Sequence, residues 1–325
     1  VGRNAQVEAA IPPIDADELT RGMRLANAEF LANGITSLQD TGWNNWLRHW
    51  QEWRRLVECG AAMCRVSLLM GIDSLEELRE AGLSTGTGDS RLRIGGIKLA
   101  LDESTGCDAP PQDDLNRQAL RAARAGFGVA LHVSDVPMLE GALATIRYVS
   151  RQLPEAAGSF RLEHCTVCPP ALLLKIKACR AIVVTQPAFL RHMGQPYLER
   201  ALPEQAGWFQ PLGSFRRWGA RVALSSDAPL VSCNPWIGIE AAVSRRTDNG
   251  QVLGPREAVT LLEDLEMYTL CGAQDSLEAH EKGRIGPGML ADLIVLNRDP
   301  VRIEPGEIPE LRVVRCVIGG TVVRG

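Results

Sequence analysis

GVALHV (128–133) and FRLEHC (160–165) decide the fold: each is a short apolar run that closes on an imidazole, His132 in the first and His164 in the second. Working outward from this pair, the same kind of run recurs at helix-length intervals. ITSLQD (35–40), CRVSLLM (64–70), IGGIKLAL (94–101), AIVVTQP (181–187) and VALSSDAP (222–229) bring the number of strands to seven. Helices are expected between them, over Asp15–Asn33, Trp43–Cys59, 74–82, Gln112–Ala125, Pro137–Leu153, 170–178, 206–218 and, after the last strand, Arg256–Cys271. Strands alternating with helices imply a parallel sheet with right-handed crossovers, either a closed barrel or an open doubly wound sheet. No G-x-G-x-x-G or P-loop follows any strand, which weakens the nucleotide-binding versions of the open sheet.

In a parallel barrel the chemistry sits at the C-terminal ends of the strands, on one rim. His132, His164, Asp227 (in Ser-Ser-Asp-Ala-Pro) and the mid-strand Lys98 are therefore expected to converge. Two imidazoles, a carboxylate and a lysine suit a metal site.

Composition sets limits on what surrounds that rim. The chain has 325 residues, 45% hydrophobic and 23% charged, and 35 Lys plus Arg against 39 Asp plus Glu give a net charge of −4. That is an ordinary globular balance, and neither nucleic acid nor an acidic membrane is an expected partner. The nine cysteines form no framework typical of secreted domains, so a reducing cytoplasm is the expected compartment. Cys165 and Cys168 make a C-x-x-C without a second pair at zinc-ribbon spacing, which is weak support for a redox or structural zinc role. No apolar run is long enough to span a bilayer, and the first thirty residues lack the pattern of a signal peptide.

After Cys271 the character changes. ADLIVLNRDP (291–300), LRVVRCVIGG (311–320) and TVVRG (321–325) are β-rich, with Gly319-Gly320 as a hairpin turn. Such a module is too small for a core of its own and needs a partner.

The joint pattern resembles the metal-dependent amidohydrolase superfamily, in particular its amidohydrolase 3 branch of YtcJ-like and N-substituted formamide deformylase-like enzymes. The carriers are IKLALDESTG (97–106), ALHVSD (130–135), RLEHC (161–165), VVTQPAFL (183–190), LSSDAP (224–229) and the closing G-x-I-x-x-G-x-x-ADLIVL (283–296), specific through their order and spacing. The resemblance implies an α/β fold: a (β/α)8 TIM barrel over residues 1–282, followed by a C-terminal β-module, 283–325, that belongs to a small β-sandwich. It also implies that His132 and His164 bind divalent metal, zinc being expected as one or two ions, and that Asp227 touches metal and shuttles a proton. Lys98 matches the position of a lysine that takes up CO2 and becomes a carbamate bridging two metals.

The residue types suit hydrolysis on physical grounds. A metal lowers the pKa of bound water from about 16 toward 7, and a carboxylate can take that proton and return it to a leaving nitrogen. A buried lysine is more often neutral, and only the neutral amine captures CO2.

One departure stands out: relatives open the barrel with a strand carrying His-x-His, whereas the five histidines here, at 49, 132, 164, 192 and 280, include no such pair. Together with the count of seven strands and the opening Val1, this gives the expectation of a barrel lacking its strand 1 and the first half of the sandwich. Such a chain would be poorly active by itself.

Bland readings stand beside these. Lys98 could simply pair with Asp102 or Glu103, and Glu163, adjacent to His164, is expected to face the opposite side of its strand in a structural role. His192 and Tyr197, on a long loop after Thr185-Gln186-Pro187, are candidates for gripping substrate. Trp43, Trp46, Trp50 and Trp53 read as a core or interface stripe. Two other classes of function remain: a Schiff-base lyase using Lys98, and a non-catalytic remnant or binding protein on the same scaffold. The expected activity is hydrolysis of non-peptide C–N bonds in a small molecule, with substrate and oligomeric state, including a homo-oligomer, left open.

Overall fold

Asp15 starts the first helix because its carboxylate accepts from Glu18 N at 2.7 Å, filling one of the donors that a helix start leaves without a partner. The computed structural model describes residues 12, 14–100 and 110–324. Asp102, Glu103 and the second half of the 97–106 motif lie outside them. Helix α1 (Ala16–Ala32) leads into β1 (Ser37–Asp40), and the alternation continues through α2 (Leu47–Glu58), β2 (Arg65–Gly71), α3 (Leu75–Glu80) and β3 (Leu92–Leu99). It runs on through α4 (Gln112–Arg124), β4 (Val129–Val133), α5 (Val136–Gln152), β5 (Phe160–His164), α6 (Pro170–Cys179) and β6 (Ile182–Thr185). Then come α7 (Phe189–Leu198), α8 (Leu212–Trp218), β7 (Arg221–Leu224), α9 (Pro235–Ser244), α10 (Leu261–Tyr268) and α11 (Leu270–Asp275).

The seven strands pair in parallel in chain order and curl into a half-barrel. Among the described residues β1 and β7 each pair on one side only, so the sheet of seven is open, in keeping with the seven strands read from the sequence. Val129, Leu131 and Val133 of β4, with Phe160 and Leu162 of β5, join the main apolar core under the helices. The alternate residues Ala130, His132, Arg161 and Glu163 therefore face the concave side.

Two helices escaped the sequence reading. FLRHMGQPYL reads as loop because of Gly194 and Pro196, yet forms α7, where a Cβ at Gly194 would come within 2.8 Å of Thr247 Cγ2. PWIGIEAAVS forms α9, buried at Trp236, Gly238, Ile239, Glu240, Ala241 and Ala242, and so shows no apolar–polar period to read. Helix α2 starts at Leu47, four residues later than expected, where His49 Nδ1 accepts from Trp46 N at 2.8 Å.

Lys98 reaches the concave face through an irregularity in β3. Leu68 pairs with Ile94, but the next residue, Leu69, pairs with Gly96, so one extra residue is accommodated at Gly95. The extra residue resets the alternation, and both Arg93 and Lys98 then face inward. A Cβ at Gly96, whose φ is +156°, would lie 2.6 Å from the Gly128 carbonyl oxygen. Gly96→Ala should therefore cost roughly 1–3 kcal/mol of stability, read as a lower urea midpoint.

The three-stranded antiparallel sheet of β8 (Leu293–Leu296), β9 (Val313–Ile318) and β10 (Thr321–Arg324) finds its partner in the chain itself. Val313, Cys316 and Ile318 pack with Leu31 of α1 and Cys64. Ile318 pairs with Thr321 across Gly319 and Gly320, whose φ values of +57° and +80° fit the two-residue hairpin turn. Asp292 of the closing motif holds Arg65 Nε at 2.6 Å and Nη2 at 2.9 Å, tying this sheet to the first residue of β2.

Asp264 of α10 is fully buried, and neither carboxylate oxygen has a hydrogen-bond partner among the described residues. Burial pushes its carboxyl well above the usual carboxylate range. Below about pH 4 the group is neutral in both folded and unfolded states, and above that only the unfolded chain ionises. Stability should therefore fall by about 1.4 kcal/mol per pH unit from this group as pH rises toward the folded value. Asp264→Ala should flatten that slope in urea unfolding between about pH 4 and pH 7; an unchanged slope contradicts it.

Candidate functional site

His132 lies at the C-terminal end of β4 because the strand is apolar on its outer side and breaks at Ser134, after which Asp135 caps α5 by accepting from Met138 N at 2.9 Å. His164 ends β5 in register with Val133, and a regular strand would send its ring outward. Its φ of +71° turns the backbone instead. The two imidazoles come together, ring centroids 4.5 Å apart and planes at 66°.

Glu163 lies on the concave face as well. It was expected on the far side from the site, in a structural role, because neighbouring strand residues alternate. The alternation fails at His164, so Glu163, paired in register with His132, shares the concave face with both histidines. Glu163 is buried and accepts from Arg161 Nε at 2.7 Å; Arg161 also holds Asp275 at 2.8 Å and donates to Gln39 Oε1. Burial acts to raise the Glu163 carboxyl, but Arg161, Lys98 and His164 outweigh it and hold the group low. Asp275 remains raised, to about 6, by burial, with Arg161 pulling it down.

Lys98 is buried, 5% exposed, and burial brings its ammonium down to about 8 against the opposing pull of Glu163 and Asp227. Asp227 follows β7 by three residues, itself at a φ of +60°. Burial raises its carboxyl and Glu163 adds to this, while His164 and Lys98 oppose it. Lys98, His164, Glu163 and Asp227 thus act on one another electrostatically. Even so, among the described residues no three His, Cys, Asp or Glu side chains gather closely enough to hold an ion by themselves.

His164 Nδ1 lies 2.9 Å from Gln186 Oε1, and its ring stacks on Phe189 with centroids 6.3 Å apart. Gln186 and Phe189 sit in the VVTQPAFL stretch, but the sequence gives neither a role, because the backbone turn that aims His164 at them is a three-dimensional fact.

His192 and Tyr197 lie on α7 rather than on a long loop, since Phe189–Leu198 is helical in spite of Pro196. His192 Nδ1 pairs with Asp248 at 2.8 Å, and the Tyr197 hydroxyl donates to the Gln205 carbonyl at 2.8 Å. Both line a cavity of about 600 Å3 with Met193, Trp208, Val136 and Val167. Val136 and Val167 follow His132 and His164 by four and three residues, so the cavity opens beside the ends of β4 and β5.

Asp40 does not face the concave side: its carboxylate accepts from Gly42 N, Asn45 Nδ2 and Trp53 Nε1, fixing the turn into α2. Of the tryptophan stripe, Trp50 is core and Trp43 is 44% exposed. Cys165 and Cys168 are buried free thiols, and burial raises both, Cys168 to about 12, so neither is a ready thiolate. No helix among the described residues is long and apolar enough to cross a membrane.

Comparison with known proteins gives a consistent family assignment. The model of the amidohydrolase family matches residues 3–324. The N-substituted formamide deformylase of Arthrobacter pascens is 29% identical over 248 residues, 71% of this chain and 46% of that protein. The putative amidohydrolase YtcJ of Bacillus subtilis is 26% identical over 226 residues, 68% of this chain and 42% of that one. The chain thus spans about half the length of the curated relatives it matches. Among solved structures, an uncharacterized metal-dependent hydrolase from Pyrococcus horikoshii superposes with a TM-score of 0.78 at 24% identity, over 90% of this chain and 62% of that one.

Proposed function

We propose, from the premise that the chain belongs to the amidohydrolase family, that its concave rim serves metal-dependent hydrolysis of non-peptide C–N bonds in a small molecule. The observation that carries this reading is the pair of imidazoles, 4.5 Å apart at neighbouring strand ends. Two imidazoles with carboxylate oxygen nearby form a nitrogen and oxygen donor set that suits a borderline divalent cation, zinc above all. His132 and His164 would hold it, with Lys98 and Asp227 beside them. The ion would supply Lewis acidity and acidified water.

The chain's own residues then divide the remaining work. Asp227 takes a proton from the attacking water and delivers it to the leaving nitrogen, which departs poorly as an anion. Lys98 Nζ, with its ammonium brought down to about 8, is neutral often enough to add to CO2, losing a proton and becoming an anionic carbamate. His192 and Tyr197 line the space beside the rim where a substrate's substituent would lie. The seven parallel strands in chain order suit seven of the eight positions of a (β/α)8 ring, with the edges of β1 and β7, unpaired among the described residues, where an eighth would close it. The three-stranded module would be part of a β-sandwich.

Formamides, carbamates, ureas and cyclic amides are the compounds to assay. Equilibrium dialysis against Zn2+ should show retained metal, with weak affinity because no three His, Cys, Asp or Glu ligands gather among the described residues. Hydrolysis, expected to be slow for this chain, should stop on chelation and return with Zn2+. Retention of no metal, or hydrolysis indifferent to chelator, would overturn the reading. The lowered pKa of Lys98 also favours a Schiff-base lyase. Borohydride trapping of a carbonyl compound on Lys98 would transfer the assignment to that chemistry.

A further inference from the structure

We propose that Gln186 is the positioning residue that selects the tautomer of His164: its amide oxygen takes the Nδ1 proton, leaving the Nε2 lone pair free for a ligand. The purpose of this device rests on the metal reading above, whereas its geometry does not.

His164 Nδ1 and Gln186 Oε1 are 2.9 Å apart. Which end of the amide faces the ring is settled by its other neighbours. Gln186 Nε2 lies 3.4 Å from the Val184 carbonyl oxygen and 2.9 Å from Ser225 Oγ. A carbonyl oxygen can only accept, so the NH2 end belongs there and the oxygen end belongs toward the imidazole. An amide oxygen can only accept in turn, so Nδ1 carries the hydrogen.

The amide is also held rigidly. Gln186 is 2% exposed, and its main-chain carbonyl accepts from Gln210 Nε2 at 2.6 Å. The Gln210 carbonyl accepts from the buried Arg245 guanidinium at 3.0 Å. Ser225 is fixed by its N–H, which donates to the Thr185 carbonyl at 3.0 Å, and it stands two residues before Asp227. Phe189 stacks on the His164 ring and sets its plane. A hydrogen bond to the remote nitrogen of a ligating histidine commonly fixes tautomer and orientation, at a value of about 10–100-fold in affinity.

The test uses the whole, metal-free chain with 15N-labelled histidine at about pH 8, where imidazoles are neutral. Long-range 1H–15N correlation should show His164 as the Nδ1–H tautomer. Gln186→Glu, which keeps an acceptor in place, should preserve it, and Gln186→Leu should lose the preference. A Co2+ titration read by visible absorption should show affinity falling about 10–100-fold in Gln186→Leu and recovering in Gln186→Glu. An Nε2–H tautomer in the wild type, or an unchanged tautomer in Gln186→Leu, overturns the proposal. Should that variant fail to fold, the wild-type tautomer decides alone. If His164 behaves as expected but the wild type binds no Co2+, the metal reading fails and the tautomer assignment stands.

Discussion

Arg161→Met lowers the unfolding free energy by about 3–5 kcal/mol, the cost typical of removing one partner from a buried ion pair. Arg161 pairs with two buried carboxylates, Glu163 at 2.7 Å and Asp275 at 2.8 Å. Methionine fills much of the volume but returns none of the charge, so both carboxylates are left desolvated, and they escape only by binding protons. The sign follows from their folded pKa values. Asp275, already raised to about 6, makes stability fall between the usual unfolded carboxylate value and about 6. Without Arg161 the Asp275 carboxyl rises further and Glu163 loses the strongest of the cations that hold it low, so the fall should extend to higher pH, and the variant should be nearest to wild type in mild acid. Urea midpoints measured from about pH 5 to pH 8 check this. A loss that is small, or independent of pH, would show that the cluster is wetter than its burial indicates.

The second large effect concerns the imidazole pair. His132→Ala and His164→Ala should each weaken Zn2+ or Co2+ binding by more than about 100-fold, since an outer partner alone is worth 10–100-fold. On the proposed reading the two side chains, with ring centroids 4.5 Å apart, would serve one position, so the double variant should lose little more than either single one. Isothermal titration of the three variants measures both the size and the non-additivity. Equal affinities in wild type and single variants would remove the imidazoles from the metal reading, while additive losses would assign them to separate ions. Both histidines are partly exposed at strand ends, so neither change should lower stability by much more than about 1 kcal/mol.

Much of the scaffold was legible in the chain because it depends on local pattern. β5 was read to the residue as Phe160–His164, and α1 and α4 to within a residue or so, since apolar period and caps act over a few neighbours. The hairpin at Gly319-Gly320 was legible for the same reason. Helices α7 and α9 were not: one hides breakers that its packing tolerates, and the other is buried on every side.

The sequence by itself determined the order of strands and helices, the apolar faces, and the candidacy of Lys98, His132, His164 and Asp227 as residues at or near strand ends. Only the tertiary structure decided which side chains meet. The extra residue at Gly95 aims Lys98 inward, and the positive φ of His164 brings its ring to the concave face that Glu163 shares with His132. It also turns His164 toward Gln186, whose amide is oriented by groups on two neighbouring strands. Strand alternation is a rule of regular backbone, and it fails where the fold inserts a residue or a left-handed turn. Those local departures gain their stability from contacts distant in sequence, so no short window of residues could announce them.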